Sequence, residues 1–190
     1  MILDEMLPYP DVSIDESAVI AAGPARTFDS VRELDLMTVR TPLLTASMWV
    51  RGLPDHLRGK APETPERLTL VGEDGSGLPG WLLLGQRGNE ICLGAVGRFW
   101  TPSIEWRPTT LEEFATFAEP GWGKIATSLS VRPYGEGHSV LTYECRTATY
   151  DEQSRRAFAR YWRLIRPFVG HIMRATVHTV RANAEALIPA

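Results

Sequence analysis

Apolar residues recur with two different periods along this chain, and the change from one to the other divides it. From 151 to 187, Phe158, Tyr161, Trp162, Ile165, Val169, Ile172, Met173, Val177, Val180, Ala184 and Leu187 return every three or four residues. That spacing places them on one stripe of a single long helix. Upstream, the segments 67–71, 81–87, 90–100, 122–132 and 138–150 are short runs of strand-like composition. Between them, Gly72-Glu-Asp-Gly-Ser-Gly77, Arg87-Gly-Asn89 and Tyr134-Gly-Glu-Gly137 supply the residues that accept positive φ, as hairpin turns require. Successive hairpins predict an antiparallel sheet. A stripe as long as the terminal one needs a long partner, and a curved sheet wrapped around the helix provides it, with a cavity where the two do not close on each other.

The first third of the chain is read from its punctuation. Pro8 and Pro10 around Tyr9 predict an extended lead-in over residues 1–10. A strand over 17–22 is stopped by Gly23-Pro24, and Pro24 is pre-set for the first turn of a helix over 25–34 whose inner face is Phe28, Val31 and Leu34. A second short helix is predicted over 42–50, and an exposed loop over 52–66. Thr110 followed three residues later by Glu113 is a capping-box pattern that predicts a short helix over 111–117, with a strand as the competing reading. The fold class is therefore α+β, one domain over residues 1–190. Two short helices follow the first strand, and a curved antiparallel sheet grips a long C-terminal helix.

This order resembles the helix-grip arrangement of the START and polyketide-cyclase-like superfamily, often abbreviated SRPBCC. Val19-Ile20-Ala-Ala-Gly-Pro24 followed by Phe28 is similar to its opening strand and helix start. Leu3-Asp4-Glu-Met-Leu-Pro8, Leu93-Gly-Ala-Val-Gly-Arg-Phe-Trp100, Phe117-Ala-Glu-Pro-Gly-Trp122 and Tyr161-Trp-Arg-Leu-Ile165 resemble one uncharacterised bacterial branch of it. The branch's penultimate-strand pattern, T-E-T-R-V, is met here by Thr142-Tyr-Glu-Cys-Arg-Thr147, which keeps the Glu and Arg and changes their neighbours. The resemblance implies a ligand-binding fold and lends no reaction.

Charge adds a polarity to this picture. The chain carries a net −3, yet residues 151–190 hold seven arginines against three acidic residues, +4, which leaves −7 for the rest. Arg155, Arg156, Arg160, Arg163 and Arg166 interleave with Phe158, Tyr161 and Trp162 in a manner that suits a nucleic-acid-binding helix. The acidity of the whole and the lack of a second basic cluster speak against nucleic acid as a partner. A solvated basic face or a transient contact with an anionic membrane surface fits better. Pro167 and Gly170 predict a bend in the helix. No run approaches the roughly 20 apolar residues of a membrane span, and Met1 to Tyr9 lacks the pattern of a leader, so a cytoplasmic protein is expected.

Few groups of recognisable chemistry remain. His56, His138, His171 and His178 have no metal-ligand arrangement, and neither a phosphate loop nor a nucleophile elbow is present, so no metal and no cofactor are expected. Cys92 and Cys145 are read as buried thiols. On the last strand Glu144 and Arg146 share a side with Thr142, while Leu141, Tyr143 and Cys145 take the other. With the Glu144 side facing the helix, Glu144 and Arg146 are candidate catalytic groups for cyclase or dehydratase chemistry, and Tyr143 is a third candidate on the other side of the strand. Facing outward, Glu144 and Arg146 are a cross-strand ion pair, and Leu141, Tyr143 and Cys145 make the better inner face. Arg98 with Trp100 is a candidate anchor for a ligand head group, with Gly94 and Gly97 leaving space beside it. The alternative is a strand-end pairing of Arg98 with Glu105 or Glu119. Trp81, Trp122, Tyr143, Phe158, Tyr161 and Trp162 are candidate cavity walls, the last two preferred for their polar tips. The function that follows is binding of a small hydrophobic or amphipathic molecule, as carrier or sensor. The alternatives are a cofactor-free cyclase or dehydratase, and a protein-interaction module with a collapsed pocket. The sequence leaves the oligomeric state open.

Overall fold

The structure, a computed structural model, describes residues 1–35 and 80–186. The helix expected over 42–50, the loop over 52–66 with His56, the strand over 67–71, the turn at Gly72 to Gly77 and the terminal Leu187 lie outside the described residues. The elements are α1 (Ile2–Met6), β1 (Val12–Ile20), α2 (Pro24–Arg32), β2 (Leu82–Arg87), β3 (Glu90–Arg98), β4 (Glu105–Arg107), α3 (Leu111–Thr116), β5 (Gly123–Pro133), β6 (Ser139–Thr149) and α4 (Glu152–Ala186).

Six strands form one antiparallel sheet in the order β1-β6-β5-β3-β2, with β4 pairing onto β3. The hairpin turns predicted at Gly88, Gly135 and Gly137 use positive φ at all three glycines. Pro24 occupies the start of α2, which buries Thr27, Phe28, Ser30 and Val31. The helical reading of 111–117 holds: Thr110 N–H donates to the Glu113 carboxylate at 2.8 Å, and Glu113 N–H donates to Thr110 Oγ1 at 3.2 Å. Helix α4 runs through Pro167 as one element.

The sheet has two covered faces. On the inner face Leu129, Val131, Leu141, Ile91 and Leu93 pack with Phe28, Val31 and Leu34 and with Val177, Val180 and Ala184 of α4. On the outer face Leu84, Cys92, Val96, Ala126 and Ala148 pack with Ile2, Leu3 and Leu7, and with Phe114 and Phe117 at α3.

Three expectations change. The lead-in is not wholly extended, because residues 2–6 form the short helix α1. Pro8 and Pro10 constrain only the chain that follows it, and burial of Ile2, Leu3 and Leu7 holds the turn in place. The Ile2 N–H, free at the helix start, donates to both carboxylate oxygens of the buried Glu90 at 3.0 and 3.1 Å. Strand β1 begins at Val12, ahead of the expected Ser17. Its Ser13, Asp15 and Ser17 alternate onto an exposed side and dilute the apolar signal. Strand β4, three residues between Pro102 and Pro108, has too few residues to carry a pattern.

Candidate functional site

Alternation along the strands decides what faces α4. With Leu129 and Leu141 in the inner cluster, Ile125, Thr127, Tyr143 and Cys145 share their side. The register sets Thr127 opposite Cys145 and Leu129 opposite Tyr143. Across from them runs the helix stripe, and its burial is uneven. At one end Phe158 is buried against Trp100, edge to face at 6.1 Å, with Trp162 and Tyr161 at 6.0 and 6.4 Å. At the other end Met173, Val177, Val180 and Ala184 are buried. Between these ends Tyr161, Trp162, Ile165 and Val169 are only half-buried, and so are Ile125, Tyr143 and Cys145 on the sheet.

Tyr143 and Cys145 sit deep enough for burial to push the phenol up to about 12 and the thiol up to about 12. Tyr143 packs against the inner cluster. The stripe is thus buried at both ends and half-buried between them, except at Gly170, which is buried beside Ile14 of β1. On this face the half-buried residues are mostly apolar and aromatic, with the neutral Tyr143 hydroxyl, its hydrogen-bond partner Thr127 and the Cys145 thiol as the polar groups. Thr127 also donates to the Glu144 carbonyl at 2.9 Å, which fixes its rotamer.

The other predicted residues lie elsewhere. Glu144 and Arg146 face away from α4, onto the side covered by α1. Arg146 Nε donates to Glu144 Oε1 at 2.6 Å, a second guanidinium nitrogen reaches Asp4 at 2.8 Å, and a third donates to the Leu7 carbonyl at 3.3 Å. Ser13 Oγ donates to the same Glu144 oxygen at 3.2 Å. The pair is not the exposed cross-strand bridge of the outward-facing reading: its partners are two apart on one strand, and their side chains are 15% and 16% exposed. It clips α1 to the sheet.

Arg98 takes the strand-end alternative. Its Nε donates to the Gly121 carbonyl at 3.0 Å, a terminal nitrogen donates to Glu105 at 3.1 Å, and the guanidinium lies 4.4 Å from the centre of the Trp122 ring. Trp122 belongs to the outer cluster, whereas Trp81 packs on the inner one and stands 6.2 Å from Trp106. Gly94 and Gly97 leave no room for a ligand. A Cβ on Gly94 would meet Leu84 and Phe114 at 2.7 and 2.8 Å, and one on Gly97 would meet the Glu105 carbonyl at 2.9 Å. Of the predicted set, Tyr161 and Trp162 lie in the half-buried stretch of the stripe, Tyr143 lies on the sheet face that α4 covers, and Trp100 and Phe158 pack together at one end of the stripe. Thr127 and Ile125 were not legible singly. Their pairing with the Tyr143 strand was the signal that could have found them.

A hollow of about 230 Å³ beside α3 is lined by Arg107, Thr109, Glu113, Phe117 and Glu119, and its guanidinium is already paired with Glu119. Among the described residues no three His, Cys, Asp or Glu side chains are grouped to hold a metal ion, and no helix is long and apolar enough to cross a membrane.

No protein-family model matches the chain, and no curated protein matches it. Solved structures do. Norcoclaurine synthase from Thalictrum flavum, in complex with dopamine and hydroxybenzaldehyde, aligns over 94% of this chain and 89% of its own at 11% identity and a TM-score of 0.45. A conserved protein from Geobacillus kaustophilus aligns over 91% and 95% at 11% identity and 0.45. The Zhui aromatase/cyclase from Streptomyces sp. R1128 aligns over 94% of this chain and 96% of its own at 11% identity and a TM-score of 0.36. The element order, the antiparallel register and the terminal helix held against the inner face are this chain's own. Its fold is α+β in the helix-grip arrangement, a curved antiparallel sheet holding a long C-terminal helix.

Proposed function

We propose that this chain is a single binding domain for a small hydrophobic or amphipathic molecule, lipid-like, polyketide-like or aromatic, held between the sheet and α4. It acts as a carrier or sensor. One observation carries the reading: Tyr161, Trp162, Ile165 and Val169 of the α4 stripe, and Ile125, Tyr143 and Cys145 on the side of the sheet that α4 covers, are only half-buried between two buried ends. A collapsed pocket would bury both sets. A cyclase or dehydratase needs convergent polar groups beside the substrate, and Glu144 and Arg146 are held on the opposite face by α1. Binding without turnover is therefore preferred. A cytoplasmic location belongs to the same reading and suits the two free thiols Cys92 and Cys145.

Native mass spectrometry of the protein purified from its own host tests this. The expected result is a stoichiometric small molecule that denaturing extraction releases and identifies. A clean apo mass, together with no uptake of a fluorescent fatty acid or an aromatic probe in titration, would overturn it.

A further inference from the structure

We infer that the central turns of α4 form a docking surface for an anionic lipid bilayer. Two large apolar side chains project from these turns, Leu164 at 70% exposure and Phe168 at 39%. They are four residues apart and so share a side of the helix. Arg160, four residues before Leu164 on the same side, and Arg163 beside it flank the pair, both exposed.

The arginines of α4 fall into two sets. Arg155 pairs with Asp11 and Glu152, Arg156 with Glu152, Arg174 with Glu16 and Arg181 with Glu185. Among the described residues, Arg160, Arg163 and Arg166 make no ion pair. Two of these, Arg160 and Arg163, flank the exposed apolar pair, on a chain whose net charge is −3. Free guanidiniums around projecting apolar side chains match a membrane interface, where phosphates meet the cations and the apolar groups enter the acyl boundary. A protein partner fits less well. Two apolar side chains on a convex helix fall far short of the ~1,200 Å² that a specific protein interface buries. The same turns carry the half-buried Tyr161 and Ile165 of the proposed binding site, so docking would bring a bilayer beside it. The surface itself lies outside the cavity, and its failure would leave the binding reading untouched.

The test is flotation of the full chain with vesicles of phosphatidylcholine containing 30% phosphatidylglycerol, compared with phosphatidylcholine alone. Co-flotation only with the anionic vesicles, lost at high salt, is expected. Each of Arg160→Gln and Arg163→Gln should weaken partitioning about fivefold. Leu164→Ser with Phe168→Ser should weaken it further, and Arg156→Gln, which removes a paired arginine, should change it by less than twofold. Circular dichroism of every variant should match the parent, since the changed side chains are exposed. No flotation with anionic vesicles, or flotation that the double variant Arg160→Gln with Arg163→Gln leaves unchanged, would overturn the inference. Binding to an acidic polypeptide without vesicle binding would do the same.

Discussion

Tyr143 and Glu144 are adjacent on β6 and point to opposite sides of the sheet, Tyr143 toward the terminal helix and Glu144 into the ion cluster under α1. One peptide unit therefore separates the polar group that can meet a ligand from the carboxylate best suited to acid or base work. The period of a strand enforces that separation. Stability and binding should respond independently to changes on the two sides.

Arg146→Met tests the outer side. It leaves Glu144 covered and without its cation, close to Asp4, and removes the bond to the Leu7 carbonyl. We expect a loss of about 2 kcal/mol, read as a lower urea midpoint at pH 7, with uptake of an aromatic probe unchanged. Glu144→Gln keeps an acceptor for Ser13 and should cost less. A loss of probe binding in Arg146→Met at full secondary structure would return these residues to the ligand site.

Gly94→Ala should destabilise by about 1–3 kcal/mol through overpacking, because the new methyl meets Leu84 and the Phe114 ring below 3 Å. The midpoint of thermal unfolding reads this directly. Adding Phe114→Leu should recover part of the loss, since it removes the ring that the methyl strikes.

The sheet, its turns and the long helix were legible because each is repeated: period two along the strands, glycines at the turns, period three to four in the stripe. Helix α1 was not. Its five residues gain their conformation from burying Ile2 and Leu3 on the sheet and from the bond to Glu90, a contact 88 positions away in sequence. In the site, alternation gave the partition of Tyr143 from Glu144, and the apolar side was the inner one. It did not give the outward place of Trp122, which follows from the Arg98 and Arg107 guanidiniums stacked near its ring. Nor did it tell which part of the helix stripe is only half-buried, since buried and half-buried turns carry the same residue types.

Asp151 gives a pH dependence. The Ser154 hydroxyl donates to it at 2.6 Å, the Gly121 N–H at 2.6 Å and the Ser154 N–H at 2.8 Å, and together they hold its carboxyl at about 2 against an ordinary 3.8. The folded-state value is the lower one, so the stabilisation is complete above pH 4 and is lost as pH falls from about 4 toward 2. Asp151→Asn should reduce stability at pH 7, and it should flatten the acid side of the profile between pH 4 and 2. Urea midpoints measured across that range check both. An unchanged slope would mean that other carboxylates control the acid transition.

Cys145→Phe separates an open space from a collapsed one. In a packed interior the added ring forces neighbours apart and costs about 1–3 kcal/mol. In the proposed binding site, beside the half-buried Cys145, it has room to enter. There the change should stay within about 1 kcal/mol, because new apolar burial offsets the lost fit. Uptake of a fluorescent fatty acid should fall at least tenfold, since the ring occupies the volume the probe would take. Near-neutral stability with lost uptake is the expected pair of results, from thermal unfolding and fluorescence titration on one sample. A large loss of stability would mean that β6 and α4 are already in contact there, and the binding reading would fall with it.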